Sequence, residues 1–216
     1  MEKTVSSKAV SLKIASELLR VKAIKLSAKN PFTWSSGWKS PIYCDNRIAL
    51  SYPKTRSLIK KELVAAAKKY FLEVEAIAGV ATAGIPQGAL LADALDLPFV
   101  YVRDKPKGHG MENLIEGEIA KHTKVVLVED LISTGGSSLK AAAALQKVDA
   151  EVIGMLAIFT YGFSIADKNF DEANISLHCL SNYSVMLEEA LSQGYIQTDQ
   201  LETLEEWRKS PETWGI

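Results

Sequence analysis

The sequence predicts an α/β fold, a mostly parallel twisted sheet flanked by helices, and three observations carry that prediction. Short apolar runs at 76–81, 99–102, 125–128 and 151–159 alternate with stretches of helical periodicity, the pattern of repeated βαβ units. The first three runs each lead into an unusual sequence, at 79–88, 103–110 and 129–137. Right-handed crossovers bring the carboxyl ends of parallel strands to one rim, where such sheets bind their ligands.

Taken in order, residues 6–22 carry Ala9, Leu12, Ala15, Leu18, Leu19 and Val21 near helical spacing, and 23–26 is a short strand. Segment 30–41 mixes Pro31, Gly37 and Pro41 with Phe32, Trp34 and Trp38. It reads as a structured loop or hairpin, either a packed aromatic turn or a lid over a ligand, with 42–45 a strand leaving it. Residues 52–70 form a helix, with Pro53 in its first turn and Leu58, Ile59, Leu63, Val64 and Ala67 as its buried stripe. After the strand at 76–81, residues 82–88 read as loop and 89–95 as helix, closed by Asp96-Leu97-Pro98. Residues 103–118 read as one long polar segment, and 164–174 as loop with a frayed helix. A helix follows Ser137, a late strand occupies 175–180, and helices at 183–194 and 198–208 complete the chain.

Composition narrows the class. The 216 residues are 47% hydrophobic and 24% charged, ordinary for a soluble globular domain. A net charge of −1 gives no global attraction to nucleic acid or to an acidic membrane, so any anion site is local. Cys44 and Cys179 lack metal-site spacing and read as reduced thiols. Residues 1–19 contain no secretory apolar core, and the apolar run at 152–159 is too short to span a bilayer. The expectation is a soluble cytoplasmic protein.

Chemistry concentrates where the apolar run Val125-Val126-Leu127-Val128 meets Glu129-Asp130. Leu131-Ile132 follows, then Ser133-Thr134-Gly135-Gly136-Ser137 and an alanine-rich helix. Backbone N–H groups of a small-residue loop at a helix N-terminus suit a phosphate, and acids just before it suit hydroxyl groups or a metal-bound ligand. A second local site is the run from Arg103 to His109, with Arg103, Lys105 and Lys107 against Asp104 alone. Gly108 and Gly110 give that loop room to close over an anion. Two nucleotide folds are excluded. Gly79 and Gly84 have Walker-loop spacing, but Ile85-Pro86 stands where Lys-Ser/Thr is required. Gly108-His109-Gly110 lacks the third glycine of a dinucleotide fingerprint, because Asn113 holds that position. His122 and His178 are assigned to structure, Glu202, Glu205 and Glu206 to an exposed helix face, and Trp207 and Trp214 to core or interface.

The run from Glu129 to Ser137 resembles the phosphoribosyl diphosphate (PRPP) signature of type I phosphoribosyltransferases. The segment from Phe32 to Tyr43 resembles the hood motif of the orotate branch of that family, and the run from Arg103 to Gly110 resembles its catalytic loop. The resemblance implies a single domain over 1–216, with a hood mainly from 1–50 on a core of 51–216. It implies transfer of ribose 5-phosphate from PRPP to orotate, giving orotidine 5-monophosphate and diphosphate. It gives Glu129 and Asp130 the ribose 2- and 3-hydroxyls. Ser133, Thr134, Gly135, Gly136 and Ser137 would bind the 5-phosphate, Leu131 and Ile132 would also belong to the PRPP site, and Thr82, Ala83 and Gly84 match the diphosphate loop. Arg103, Lys105, Lys107 and His109 would contact diphosphate, with Arg103, Lys107 and His109 catalytic. Ser133, Ser35 and Tyr43 would face orotate. Mg²⁺ would be held mainly by PRPP, with no direct protein ligand, and the catalytic loop would reach across a homodimer. Neither nucleic acid nor membrane is an implied partner. The chain departs from some members, which have lysine at the place of Ser35, a Tyr-Lys pair at Pro86-Gln87, and an arginine in the segment that here reads Phe159-Thr160-Tyr161-Gly162.

Overall fold

The structure is a computed structural model that describes residues 4–34, 36–105 and 114–215. Its elements in chain order are β1 (Thr4–Val5), α1 (Lys8–Arg20), β2 (Ile24–Leu26), β3 (Phe32–Thr33), β4 (Lys39–Ser40) and β5 (Ile42–Cys44). A 3-10 turn at Asn46–Ser51 leads to α2 (Pro53–Tyr70), β6 (Ala76–Val80), α3 (Gly84–Leu95), β7 (Phe99–Val102), β8 (Ile115–Glu116) and β9 (Lys124–Ile132). Then come α4 (Gly136–Gln146), β10 (Glu151–Thr160), α5 (Ser164–Glu172), β11 (Leu177–Asn182), α6 (Tyr183–Ser192) and α7 (Thr198–Lys209).

Seven strands form one sheet in the order β1-β11-β10-β9-β6-β7-β8. All its pairings are parallel except β7 with β8. The continuous apolar sequence of β9 follows from this, since a central parallel strand is covered on both faces. Val126 and Val128 point into a core shared with α1, α2, α3, α6 and α7. Val125 and Leu127 point into the opposite core, with Ala141, Ala142 and Leu145 of α4 and Ala166 and Phe170 of α5. Two small antiparallel ribbons, β2 with β5 and β3 with β4, stand apart from the sheet. The β1 strand joins the sheet edge beside β11.

Four local expectations change. The α3 helix begins at Gly84 and takes in Ile85, Pro86 and Gln87, expected as loop. A proline in the first helical turn costs little, because its missing N–H would have no intrahelical partner there. The β9 strand continues through both acids to Ile132, held by Ala157↔Glu129 and Thr160↔Ile132 pairing with an equally extended β10. Segment 103–118 is not wholly loop, since Ile115–Glu116 returns antiparallel to β7. Ser164–Glu172 is a regular helix whose Ala166 and Phe170 are buried, four residues apart on one face.

Candidate active site

The sheet reverses its order between β6 and β9. From β6 the chain steps outward to β7, and from β9 it steps the other way to β10 and β11. A crevice beyond the carboxyl ends of the two strands flanking such a switch is where α/β sheets bind ligands. Here β6 pairs with β9 only as far as Gly79↔Val128. Glu129 and Asp130 therefore stand where β9 still has β10 on one side but has lost β6 on the other.

Glu129 is 6% exposed. Its Oε1 accepts the Asp130 backbone N–H at 3.0 Å and its Oε2 accepts the Ser138 hydroxyl at 3.1 Å. Burial, and next the adjacent Asp130 charge, push the Glu129 carboxyl well above its ordinary range. Burial also raises Asp130, against the opposing pull of the nearby Arg47 charge. An ionised pair in this setting is short of hydrogen-bond donors. Asn46, 1% exposed, donates from Nδ2 to the Asp130 carbonyl at 2.7 Å. Its Oδ1 accepts the Cys44 thiol at 3.4 Å. Arg47 grips Asp45 with two bonds of 2.7 and 2.9 Å, holding the Asp45 carboxyl below its usual range. Asn46 was not among the residues read as functional from sequence; an Asp-Asn-Arg run after a strand gives little signal unless its distant partner is known.

The small-residue loop turns at Gly135, which caps α4 with φ +80. A Cβ there would lie 2.7 Å from the Phe170 ring. Asn169, beside it on α5, donates to the Thr134 carbonyl at 2.9 Å. The helix that the sequence reading took for frayed thus supports the loop from below. The first backbone N–H groups of α4, from Gly136, Ser137 and Ser138, have no acceptor within the helix and point toward its start. Opposite, Gly84 lets α3 approach β9 so closely that a Cβ would sit 2.2 Å from the Val128 carbonyl oxygen. The same Cβ would lie 3.4 Å from the Glu129 Cα, so the start of α3 stands beside the first acid.

Ser133 and Thr134 also line a cavity of about 580 Å³, together with Thr33, Trp34, Ser36, Trp38, Tyr43, Cys44, Leu131 and Tyr161. Tyr43 and Ser133, expected from sequence to face one ligand, therefore share one cavity. Tyr161 and both tryptophans belong to it as well. The cavity's aromatic wall continues inward, with Trp34 5.1 Å from Tyr161 and 5.5 Å from Trp207 between ring centroids. Trp207 is fully buried, and its Nε1 donates to the Lys39 carbonyl at 3.1 Å. A smaller cavity of about 220 Å³ brings Arg103 and Ser137 to one wall, with Lys140. Arg103 Nη1 pairs with Glu116 Oε1 at 3.2 Å, and Lys105 is exposed. Lys107, His109 and Ser35 lie outside the described residues. His122 is exposed and His178 is 1% exposed, stacked on Tyr70 with centroids 4.2 Å apart.

Residues 54–182 match the phosphoribosyl transferase domain model. The orotate phosphoribosyltransferase of Porphyromonas gingivalis is 62% identical over 94% of this chain and 97% of its own length. That of Listeria innocua is 52% identical over 95% of this chain and 99% of its own. The crystal structure of orotate phosphoribosyltransferase from Aeropyrum pernix superposes with a TM-score of 0.75 at 29% identity, covering 85% of this chain and 99% of that one. With the acid pair and small-residue loop at the switch point, these similarities identify the chain as a member of the phosphoribosyltransferase family, in its orotate phosphoribosyltransferase branch.

Proposed function

We propose that this chain transfers ribose 5-phosphate from PRPP to orotate, giving orotidine 5-monophosphate and diphosphate, a step of pyrimidine nucleotide synthesis. The observation that carries this reading is the sharing of Ser133 and Thr134. They belong to the phosphate loop and also line the aromatic cavity, so the sugar end and the base end of one transition state meet there.

In this reading the bond from orotate N1 to ribose C1 forms as the bond from C1 to the diphosphate oxygen breaks. Orotate enters with N1 ionised, so no general base is needed. Charge builds on the departing diphosphate while C1 becomes oxocarbenium-like, and fixed donors aimed at that charge lower the barrier most. Glu129 and Asp130 accept the ribose hydroxyls, which offsets the cost of their burial. The N–H groups of Gly136 and Ser137 and the side chains of Ser133, Thr134 and Ser137 hold the 5-phosphate. Thr82, Ala83 and Gly84 face the diphosphate, and Arg103, Lys105, Lys107 and His109 close over it. Opening of the Arg103–Glu116 pair frees Arg103 for that role.

Among the described residues no three His, Cys, Asp or Glu side chains cluster as a metal cage. A Mg²⁺ ion carried by the diphosphate would supply charge neutralisation there. Two chains pair so that the loop after β7 serves the neighbouring site. The unpaired thiols of Cys44 and Cys179 suit a reducing, cytoplasmic compartment. Among the described residues no helix is long and apolar enough to cross a membrane.

The test is a steady-state assay with PRPP and Mg²⁺, following loss of orotate absorbance. Turnover with orotate is expected; turnover only with adenine or hypoxanthine would assign a purine enzyme, and none with any base a non-catalytic PRPP sensor. Lys107→Ala is expected to lower kcat far more than it raises the KM for PRPP, as befits a contact made in the transition state. Mixing Lys107→Ala with Asp130→Asn chains is expected to restore activity. No restoration would refute the shared loop.

A further inference from the structure

The aromatic cavity poses an electrostatic problem. Among the described residues its lining contains no charged side chain, only aromatic rings, hydroxyls, Leu131 and the Cys44 thiol. Orotate brings a carboxylate on its ring, and a carboxylate buried without a partner is costly.

The nearby arginines are engaged elsewhere. Arg47 is clamped on Asp45. Arg208 donates to Ser184 at 2.9 Å and lines a separate cavity with Tyr161 and Tyr183.

Lys39 differs from both. It sits on β4 directly opposite Thr33 of β3, and its Nζ donates to Thr33 Oγ1 at 2.9 Å. Thr33 is itself part of the cavity wall. The Lys39 carbonyl is fixed by Trp207, and its stem runs past Gly215, where an added Cβ would sit 3.4 Å from the Lys39 Cβ. Among the described residues its ammonium is bonded to a neutral hydroxyl and to no carboxylate. Two of its N–H groups remain available, and Thr33, which accepts from Lys39, keeps its own O–H to donate.

We propose that Lys39, bonded to Thr33 of the cavity wall, is the cation that recognises the carboxylate of the pyrimidine substrate and so selects it over uncharged bases. This rests on the orotate reading above. Lysine and threonine together present two charge-assisted or neutral donors to one anion, and no proton need move.

The experiment is kinetic. Lys39→Met keeps the apolar stem and removes the charge. It is expected to raise the orotate KM about tenfold, the worth of one hydrogen bond to a charged group. The PRPP KM should stay within about twofold, and the rise of orotate KM with ionic strength should flatten, since exposed charge interactions are screened. Lys39→Arg should recover most of the orotate affinity.

An orotate KM unchanged by Lys39→Met, or equal rises in both KM values, overturns the proposal. Should Lys39→Met fail to fold, Thr33→Val is read instead, with a smaller rise in orotate KM expected and no rise overturning the proposal. Tryptophan quenching by orotate and by uracil provides an arm independent of turnover. Wild-type protein should prefer orotate and Lys39→Met should lose that preference; a retained preference counts against Lys39. Absence of wild-type turnover with orotate would instead strike the proposed reaction, and the quenching comparison would still decide the role of Lys39.

Discussion

The two walls of the site are built on different principles. The wall proposed to hold sugar and phosphate consists of contiguous backbone, from Glu129 to Ser137 and from Thr82 to Gly84, positioned by close approach of helices to strands. The wall proposed for the base consists of side chains far apart in sequence, Trp34, Tyr43, Tyr161 and Trp207, positioned by ring packing around two small ribbons. A backbone wall tolerates no extra atom at its contacts, whereas a side-chain wall loses affinity by degrees.

That contrast can be broken first at Gly84. Gly84→Ala places a methyl group 2.2 Å from the Val128 carbonyl. The helix must retreat, and a displacement of about 1 Å at a reacting centre costs about 100-fold in rate. A kcat/KM near wild type would show that the α3–β9 approach does not position the diphosphate loop.

Trp207→Ala attacks the other wall. Loss of a fully buried indole touching Trp34, Tyr161, Phe163 and Tyr183 should lower unfolding free energy by about 3–5 kcal/mol in urea titration. The folded remainder should show weaker orotate binding and little change in PRPP binding. An equal effect on both ligands would mean the two walls are not separable.

Asn46 joins the walls, since it bonds to the Asp130 carbonyl and to Cys44 of the base cavity. Asn46→Ala should cost about 1–2 kcal/mol in kcat/KM, roughly tenfold, with both substrates affected. An effect on orotate KM alone would confine Asn46 to the base wall.

The smallest effect is a gain. Burial raises the Glu129 pKa, so the folded chain holds that proton more tightly than the unfolded chain, whose carboxyl titrates near 4.5. Stability is therefore lost as pH rises from about 4.5 through the folded value. Glu129→Gln removes this penalty and keeps an acceptor for the Asp130 N–H, while the Ser138 hydroxyl can turn to accept. The ligand-free variant should melt roughly 2–4 °C higher at neutral pH, and the gain should vanish as the pH falls to the unfolded carboxyl value. Its turnover should fall sharply, a stability–activity exchange. A lower melting temperature at neutral pH would contradict the burial argument.

The walls also differ in how far they could be read beforehand. Four apolar residues, two acids and a small-residue loop before a helix are local instructions. Strand, turn and helix start depend on neighbours within a few positions, so the strand-loop-helix order around the acids and the parallel sheet were legible from sequence. The extension of β9 to Ile132 was not, because it depends on β10 running equally far beside it. Likewise Ser164–Glu172 looked polar and weak as a helix until Phe170 found its place under Gly135. Local pattern cannot report a partner 35 positions away, as Thr134 is from Asn169.

By itself, then, the sequence determined the fold class and the strand-loop-helix order at the strand ends, because both are set by periodicity and by backbone chemistry within short segments. Only the tertiary structure decided which rings form the aromatic cavity, that Asn46 joins it to Asp130, and that Lys39 is bonded to Thr33 of its wall. Those relations come from long-range packing, where residues from both ends of the chain meet, and no short-range pattern encodes them.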